Sequence, residues 1–496
     1  MKKPSDSLFQ LIKSLSGQEK RYFKIFASRH TIGEKNNYLK LFDAIDKQEE
    51  YDEEAIRLFF KKDKFIRQLF VVKSYLYEMI LKSQDAYYAG SSIQIQLRHL
   101  VHYIEILYNK ALYDQCLRMI EKAEKLAVKH EIFLTQLEII NWKLKVRGTT
   151  LFQKTLDEDL YLFQQERKTI TQKISNYHQY QFLNTKLFSK AVKKGWFPRS
   201  PEEIMQEYEP IISDSVFESP EKAISLQAKI LFHNTISAYY HLKGDHKKSY
   251  FHSKEAEKIF LENTLLIENN QEDYLSCLSN LIFTSMFLGN YEESFRHINV
   301  LKKLTPPSKA LQAKIIISAY LPELISYNIN GYVDAGLKLI PEIENKLRSF
   351  QNILPRRDVL YIQYNFSCLY FKANEFKKSA QWVFQILNES ETGFLPDLHA
   401  KTKILNLMIQ TEMNNTDLLP YIIRSTYRFL LKQQRLYGFE KLIIGFIRRL
   451  PDVSANELKY QYGKLKSDLE ELGKNPYEKK AMEHLGFSQW VEKKVK

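Results

Sequence analysis

Five times along the chain a ring-bearing residue is followed three positions later by a small one, just after a helix break: Tyr113/Cys116, His246/Ser249, Tyr291/Ser294, Tyr332/Ala335 and Phe376/Ser379. The last four rings are 45, 41 and 44 residues apart, and the 133 residues from Tyr113 to His246 hold three such periods with two degenerate copies. A fixed period of this length marks a helical solenoid, because one two-helix unit cannot bury its own apolar face and stacks on the next. An all-α protein is therefore expected, one that presents surfaces and whose fold says little about chemistry.

Length and composition agree. A chain of 496 residues is more than one compact core usually serves, so several domains or an extended array is expected. Glycine supplies 15 residues and proline 14, which leaves few tight turns and suits long helices on short connections. Cys116, Cys277 and Cys368 have no metal-ligand spacing, and three is a poor number for a disulfide framework. The amino-terminal MKKPSDSLFQLIKSLS has no continuous apolar core, and no later stretch approaches the roughly 18 apolar residues of a spanning helix. A cytoplasmic protein without membrane insertion is expected.

The formal charge of +14 is unevenly placed: residues 1–90 carry 17 Lys+Arg against 13 Asp+Glu, residues 91–400 carry 38 against 35, and residues 401–496 carry 18 against 11. The basic excess sits at the two ends. Such ends attract RNA, DNA, a ribosome or acidic proteins, or simply keep a lysine-rich surface in water.

Residues 1–90 read as a separate helical bundle. Ser16-Gly17-Gln18-Glu19 is a capping box before Tyr22, Phe23, Ile25 and Phe26. After Gly33 a second helix starts near Asn37, a third is capped by Asp52, and a long fourth runs from Lys64 to Tyr88. The second and third could form a DNA-binding helix-turn-helix with Arg57, Lys61 and Lys62 beside it. They could equally cap the open end of an array, which repeat proteins require.

From about Ser92 the array begins. In its clearest copy, Tyr240 precedes Gly244-Asp245-His246 and Ser249, and Ala256 closes the second helix. Leu288-Gly289-Asn290-Tyr291-Glu292-Glu293-Ser294, Asn330-Gly331-Tyr332-Val333-Asp334-Ala335 and Ala373-Asn374-Glu375-Phe376-Lys377-Lys378-Ser379 repeat the pattern. Small residues let two helix backbones approach, and the ring fills the space between hairpins. The pattern, over roughly 92–435, resembles the tetratricopeptide repeat, and the resemblance implies a right-handed α-solenoid of about eight hairpins. Its period is longer than that family's 34 residues, and the family's tryptophan is missing, so each helix should be a turn or more longer. A sixth copy, with Leu418 and Tyr421 at the two marker positions, is degenerate, and the missing copies should turn near Gly148–Leu156 and Gly195–Pro201. The second of these turns carries Trp196 and Phe197, either a contact point or rings tucked over the edge.

In tetratricopeptide proteins that hold extended peptides, inner-helix asparagines pair with the ligand backbone, so the resemblance points to Asn234, Asn280 and Asn365 on the concave face. Leu321 breaks the row, and Ser276 and Tyr361 stand where a lysine would complete a carboxylate clamp. The same amides can instead join neighbouring helices. Arg424, Arg428, Lys432 and Arg435 recur at intervals of four, four and three, a basic stripe that suits phosphates or an acidic peptide as well as a solvated face. His233, His241, His246 and His252 have no recognised ligand spacing, and no metal or other cofactor is expected. Phosphate loops, dinucleotide fingerprints, HExxH and GxSxG are all missing.

The expectation is a non-catalytic scaffold or adaptor that binds a protein or peptide, built as a 1–90 bundle, a 91–435 solenoid and a basic 436–496 helical cap. The alternatives are an RNA- or ribosome-associated factor using the basic ends, and a peptide-sensing regulator.

Overall fold

The computed structural model describes residues 6–29, 37–90, 92–150, 156–306, 308–389, 395–485 and 487–495. Among them there are helices and connections and no strand. Two compact units, Met1–Ile170 and Thr171–Lys496, divide the chain.

The first unit opens with a bundle: α1 (Ser7–Ser14), α2 (Gly17–Arg29), α3 (Asn37–Lys47), α4 (Glu53–Phe59) and α5 (Leu69–Tyr88). The expected capping box starts α2: the Ser16 amide donates to Glu19 Oε2 (2.6 Å) and the Glu19 amide to Ser16 Oγ (3.3 Å). Asp52 caps α4 through the Ala55 amide. Phe23, Leu41, Phe42, Ile45, Leu76 and Ile80 form the core. α1 lies in the stretch read only for its lack of an apolar core, and its Leu8 and Ile12 are buried. The bundle is followed by α6 (Ile93–Asn109), α7 (Tyr113–Lys129) and α8 (Phe133–Thr150), and the unit boundary falls inside the 39-residue α9 (Leu156–Lys194). The turn expected at Gly148–Leu156 is not seen at its start, since α8 continues through Gly148 to Thr150, and its centre, 151–155, lies outside the described residues.

The second unit continues α9 into a loop at Gly195 and the short α10 (Pro201–Glu207) and α11 (Glu209–Ile212). Helical pairs follow: α12 (Leu226–Lys243) with α13 (His246–Glu262), then, past a short α14 (Thr264–Asn269), α15 (Gln271–Leu288) with α16 (Tyr291–Lys303), α17 (Lys309–Asn330) with α18 (Val333–Ser349), α19 (Arg356–Lys372) with α20 (Phe376–Leu387), and α21 (Pro396–Glu412) with α22 (Leu419–Lys432). Each helix packs on the next, and the first members also pack on one another. This arrangement is compatible with a helical repeat protein. α23 (Gly438–Arg449), α24 (Ala455–Leu472), α25 (Pro476–Leu485) and α26 (Phe487–Val495) complete the unit.

Burial separates the two members of each pair. α18 buries Gly336, Ile340 and Ile343, and α20 buries Ser379, Val383 and Ile386, the three-and-four spacing of a helix with one face in water. Among the first members, only Lys243 of α12 and first-turn residues of α15, α17 and α19 are exposed, and no residue of α21 is. Helices covered all round need apolar or small residues on every side, and these have them.

The repeat has a sharper register than its rings suggest. Each turn after a first helix has one left-handed residue: Ala111 (φ 57°), Gly244 (84°), Gly289 (85°), Gly331 (73°), Asn374 (62°) and Asn414 (53°). Five residues on from each stands a buried one: Cys116, Ser249, Ser294, Gly336, Ser379 and Leu419. The Tyr332/Ala335 marker is therefore displaced by one. Both residues are exposed, and Val333 and Gly336 take the two places. A Cβ on Gly336 would lie 2.7 Å from Leu369 Cδ2, which explains glycine at this crossing. The sixth copy shifts likewise to Thr416 and Leu419, leaving Leu418 and Tyr421 exposed.

The small residue also makes a bond that the sequence did not announce. Ser249, Ser294 and Ser379 donate to the carbonyls of Ser237, Ile282 and Ser367, at 2.8, 3.2 and 2.8 Å, and Cys116 Sγ lies 3.5 Å from the Ile104 carbonyl. Every pair is 12 residues apart. Ser237 and Ser367 return the bond to the carbonyls of Ser249 and Ser379.

Candidate functional site

The inner side of the second unit is where a ligand groove was expected. Asn280 Nδ2 donates to Asn234 Oδ1 (3.3 Å), joining α15 to α12. Asn365 Nδ2 donates to the Tyr361 carbonyl (2.9 Å), while Asn365 Oδ1 accepts from Asn328 Nδ2 (3.0 Å) across α17 and α19. Asn234, Asn328 and Asn365 are buried and Asn280 is half-buried. The structure thus places these amides in bonds between successive helices, the use that desolvated amides require. Asn328 was missed because it lies outside the row. Corrected for register, the place read as Leu321 falls on Pro322.

The remaining space on that side is taken by the chain itself. In the loop after α9, Trp196 packs on Phe188 and His241, and Phe197 packs on His241 and Phe287 with Lys401 Nζ 5.2 Å from its ring. The turn expected at Gly195–Pro201 is present, with Gly195 at φ 98°, and its rings are tucked in. The loop thus touches α12, α15 and α21 at once.

Arg199 anchors the loop. Its guanidinium donates to both oxygens of Glu440 (2.8 and 3.2 Å) and to Glu478 (2.7 Å), and it lies 4.3 Å from the Tyr437 ring centre. Glu478 also accepts from the amides of Gly438 and Phe439 (2.9 and 3.2 Å) at the start of α23, where a helix offers unpaired N–H groups. Burial works to lower the Arg199 pKa, and the two carboxylates raise it nonetheless. Beside this group, Asp397 pairs with Arg435 (2.9 Å) and Lys401 (2.9 Å). Three cations meet three carboxylates, so the cluster is balanced. A cavity of about 20 Å³ lies among Arg199, Asp397, Lys401, Arg435 and Glu440, room for about one water.

The carboxyl-terminal helices lie over the ends of the first helices. Trp490 Nε1 donates to Glu412 Oε1 (2.7 Å), Lys494 pairs with Glu412 (2.9 Å), and Lys493 donates to the Lys372 carbonyl (3.2 Å). Phe487, Trp490 and Val491 are buried in the core with Leu405, Met408 and Phe439. Lys493 and Lys494 therefore do not form a free basic tail.

The basic stripe is shorter than its spacing suggested. Arg424, Arg428 and Lys432 are exposed on α22, beside Tyr421 and Leu431. Arg435 leaves the stripe because α22 ends at Lys432 and Gln434 turns left-handed (φ 55°), which sends its guanidinium to Asp397.

Of the histidines, His233 Nδ1 and His252 Nδ1 are 3.0 Å apart, so one ring donates and the other accepts. Burial first, then Lys229 for His233 and His233 for His252, lowers both pKa values to about 4. His241 and His246 pack on Phe287. Among the described residues no group of three His, Cys, Asp or Glu side chains could hold a metal ion. All three cysteines are buried, and burial raises each thiol pKa, which disfavours the reactive thiolate.

In the amino-terminal bundle, the second helix of the proposed helix-turn-helix is α4, of seven residues, beginning Glu53-Glu54. Arg57 is occupied by Glu53 (2.8 Å). Carboxylates at the end that would meet DNA oppose that use.

No family model matches the chain, and no curated protein matches it.

Proposed function

We propose that the chain is a non-catalytic cytoplasmic scaffold or adaptor that binds a protein, and that the pairs α12–α22 form a right-handed solenoid of stretched tetratricopeptide-like hairpins. The observation that carries this reading is the occupied inner side of the second unit. Its first helices have almost no exposed residue, its amides bond to each other, and its charged cluster is balanced around a water-sized space. Such a frame leaves recognition to the outer faces of helices, which suit a macromolecular partner better than a small substrate. A peptide would reach Asn234, Asn280 and Asn365 only by breaking the bonds these amides already make.

The test is an affinity pull-down of the tagged chain from its own cell extract, at low and moderately high salt, with and without nuclease. A protein partner that persists through both supports the scaffold. A catch of RNA-binding or ribosomal proteins that disappears with nuclease or salt rejects it in favour of a second reading, in which Arg424, Arg428 and Lys432 hold a polyanion. That reading is favoured by one observation: among the described residues none of the three pairs with a carboxylate, and Tyr421 and Leu431 stand exposed beside them. Glutamates at positions 424 and 428 should then weaken nucleic-acid binding and flatten its salt dependence.

A further inference from the structure

α5 is buried on one side only. Leu69, Leu76, Met79, Ile80 and Ser83 face α1, α2 and α3. On the other side Phe70, Ser74, Tyr77 and Leu81 follow one another at intervals of four, three and four, with exposures of 81% for Phe70, 36% for Tyr77 and 46% for Leu81, and Val71 stands beside them at 59%. This is the ridge that a second helix uses for lengthwise packing. Lys73, three residues after Phe70, reaches Glu53 (2.9 Å) and Tyr51, so the start of α4 stands beside this flank, and Leu58 and Phe59 at the other end of α4 are also exposed. Apolar surface gathered on two neighbouring elements is unusual unless something covers it.

The charges around the ridge say what would cover it. At the amino-terminal end of α5 the exposed Lys61, Lys62, Lys64 and Arg67 have no carboxylate partner among the described residues. Farther along, Glu78 is exposed beside the ridge. A bilayer would have to take Glu78 toward its acyl region, which is costly. A second copy pairing head to tail on α5 would offer those cations only Glu78 and Asp85, with Lys82 between them. An acidic helix meets both demands at once.

We propose that the α4–α5 face of the amino-terminal bundle is a docking site for an amphipathic helix of a partner protein. The partner packs an i, i+4, i+7 apolar ridge along Phe70, Tyr77 and Leu81, and lays a glutamate- or aspartate-rich end over Lys61, Lys62, Lys64 and Arg67. This rests on the scaffold reading and gives it a surface. The helix-in-groove mode draws affinity from the apolar anchors and orientation from the charges.

The test uses the full chain and two fluorescein-labelled helical peptides, each with leucines at i, i+4, i+7 and i+11, one with a glutamate-rich end and its twin with a lysine-rich end. The acidic peptide should bind, its twin should bind at least about tenfold more weakly, and Phe70→Asp or Arg67→Glu should each weaken the acidic peptide by about tenfold or more. Both positions are exposed, and an unchanged helical circular dichroism spectrum confirms that each variant folds. Failure of the acidic peptide to bind, equal binding of the twin, or indifference to Phe70→Asp overturns the site. So does preferential capture by anionic phospholipid vesicles, or a dimer in sedimentation velocity that Phe70→Asp dissolves. None of these results touches the pull-down, so the scaffold can stand if this face falls.

Discussion

Arg199 joins the loop after α9 to residues 241 and 279 positions away, and its removal would leave Glu440 and Glu478 buried and unpaired. Breaking a buried ion group by deleting one partner costs far more than the pair itself contributes, about 3–5 kcal/mol. Arg199→Ala should lower the unfolding free energy obtained from urea titration by that much, and a loss under about 1 kcal/mol would mean that water replaces the guanidinium. The His233–His252 contact makes a different prediction. Both rings titrate near 4 in the folded protein, below the ordinary value of 6.5, chiefly because of burial. The unfolded chain therefore takes up protons first as the pH falls. Stability is full above about pH 6.5, declines between there and about pH 4, and levels off below, by at most about 3 kcal/mol per ring and less for the half-buried His252. Glu255 faces His252 and opposes the shift, and Lys229 faces His233 and adds to it. Urea midpoints between pH 7.5 and 4 should show this decline, and His252→Phe should flatten it; a flat profile in the native protein would mean that the rings are solvated.

At the scale of the helical pair, the turn is set by one left-handed residue and the crossing by a small residue five positions later. Gly289 has open space around its missing Cβ, so Gly289→Ala isolates the backbone term and should cost about 1–2 kcal/mol. At Asn374, which holds φ 62° in the equivalent turn, replacement by glycine should be nearly neutral, because asparagine tolerates this region. If thermal unfolding shows equal losses at the two positions, the turns are not equivalent. The turns also show how far the sequence could be read. Gly244 and Gly289 announce themselves, and the serines after them were found at their true places. Asn374 gave the same register. The fourth copy slipped by one because Tyr332, an exposed ring next to Gly331, imitates the marker, while the true small residue is a glycine that reads as a helix breaker. Asn234, Asn280 and Asn365 were located on the right helices, but an amide in a sequence does not say whether it faces a ligand or a neighbouring helix. The 39-residue α9 fills the interval between the turns expected at Gly148–Leu156 and Gly195–Pro201 as one unbroken helix, a length that periodicity alone did not announce.

On the scale of the second unit, the basic carboxyl-terminal helix α26 docks through a buried apolar face while its lysines stay exposed. Its apolar residues Phe487, Trp490 and Val491 were scattered among lysines and gave no strong periodic signal, and their partners are spread upstream, from Tyr462 and Phe439 to Glu412, 78 residues before Trp490. α26 thus ties the ends of α19 and α21 together, and the loop at 195–200 does the same for α12, α15 and α21. Both devices join helices that are distant in the sequence. Trp490→Ala removes a buried indole and the donor to Glu412, and should cost about 3–5 kcal/mol. The loss should be local before it is global: amide hydrogen exchange should accelerate first at the carboxyl-terminal turns of α19 and α21, where Lys372 and Glu412 lose their partners, and only later in α12 and α15. If exchange instead accelerates evenly along α12, α15, α17, α19 and α21, the carboxyl-terminal helices are an inseparable part of one cooperative core. In that case the inner amides could never be uncovered without unfolding, and a partner must bind from outside.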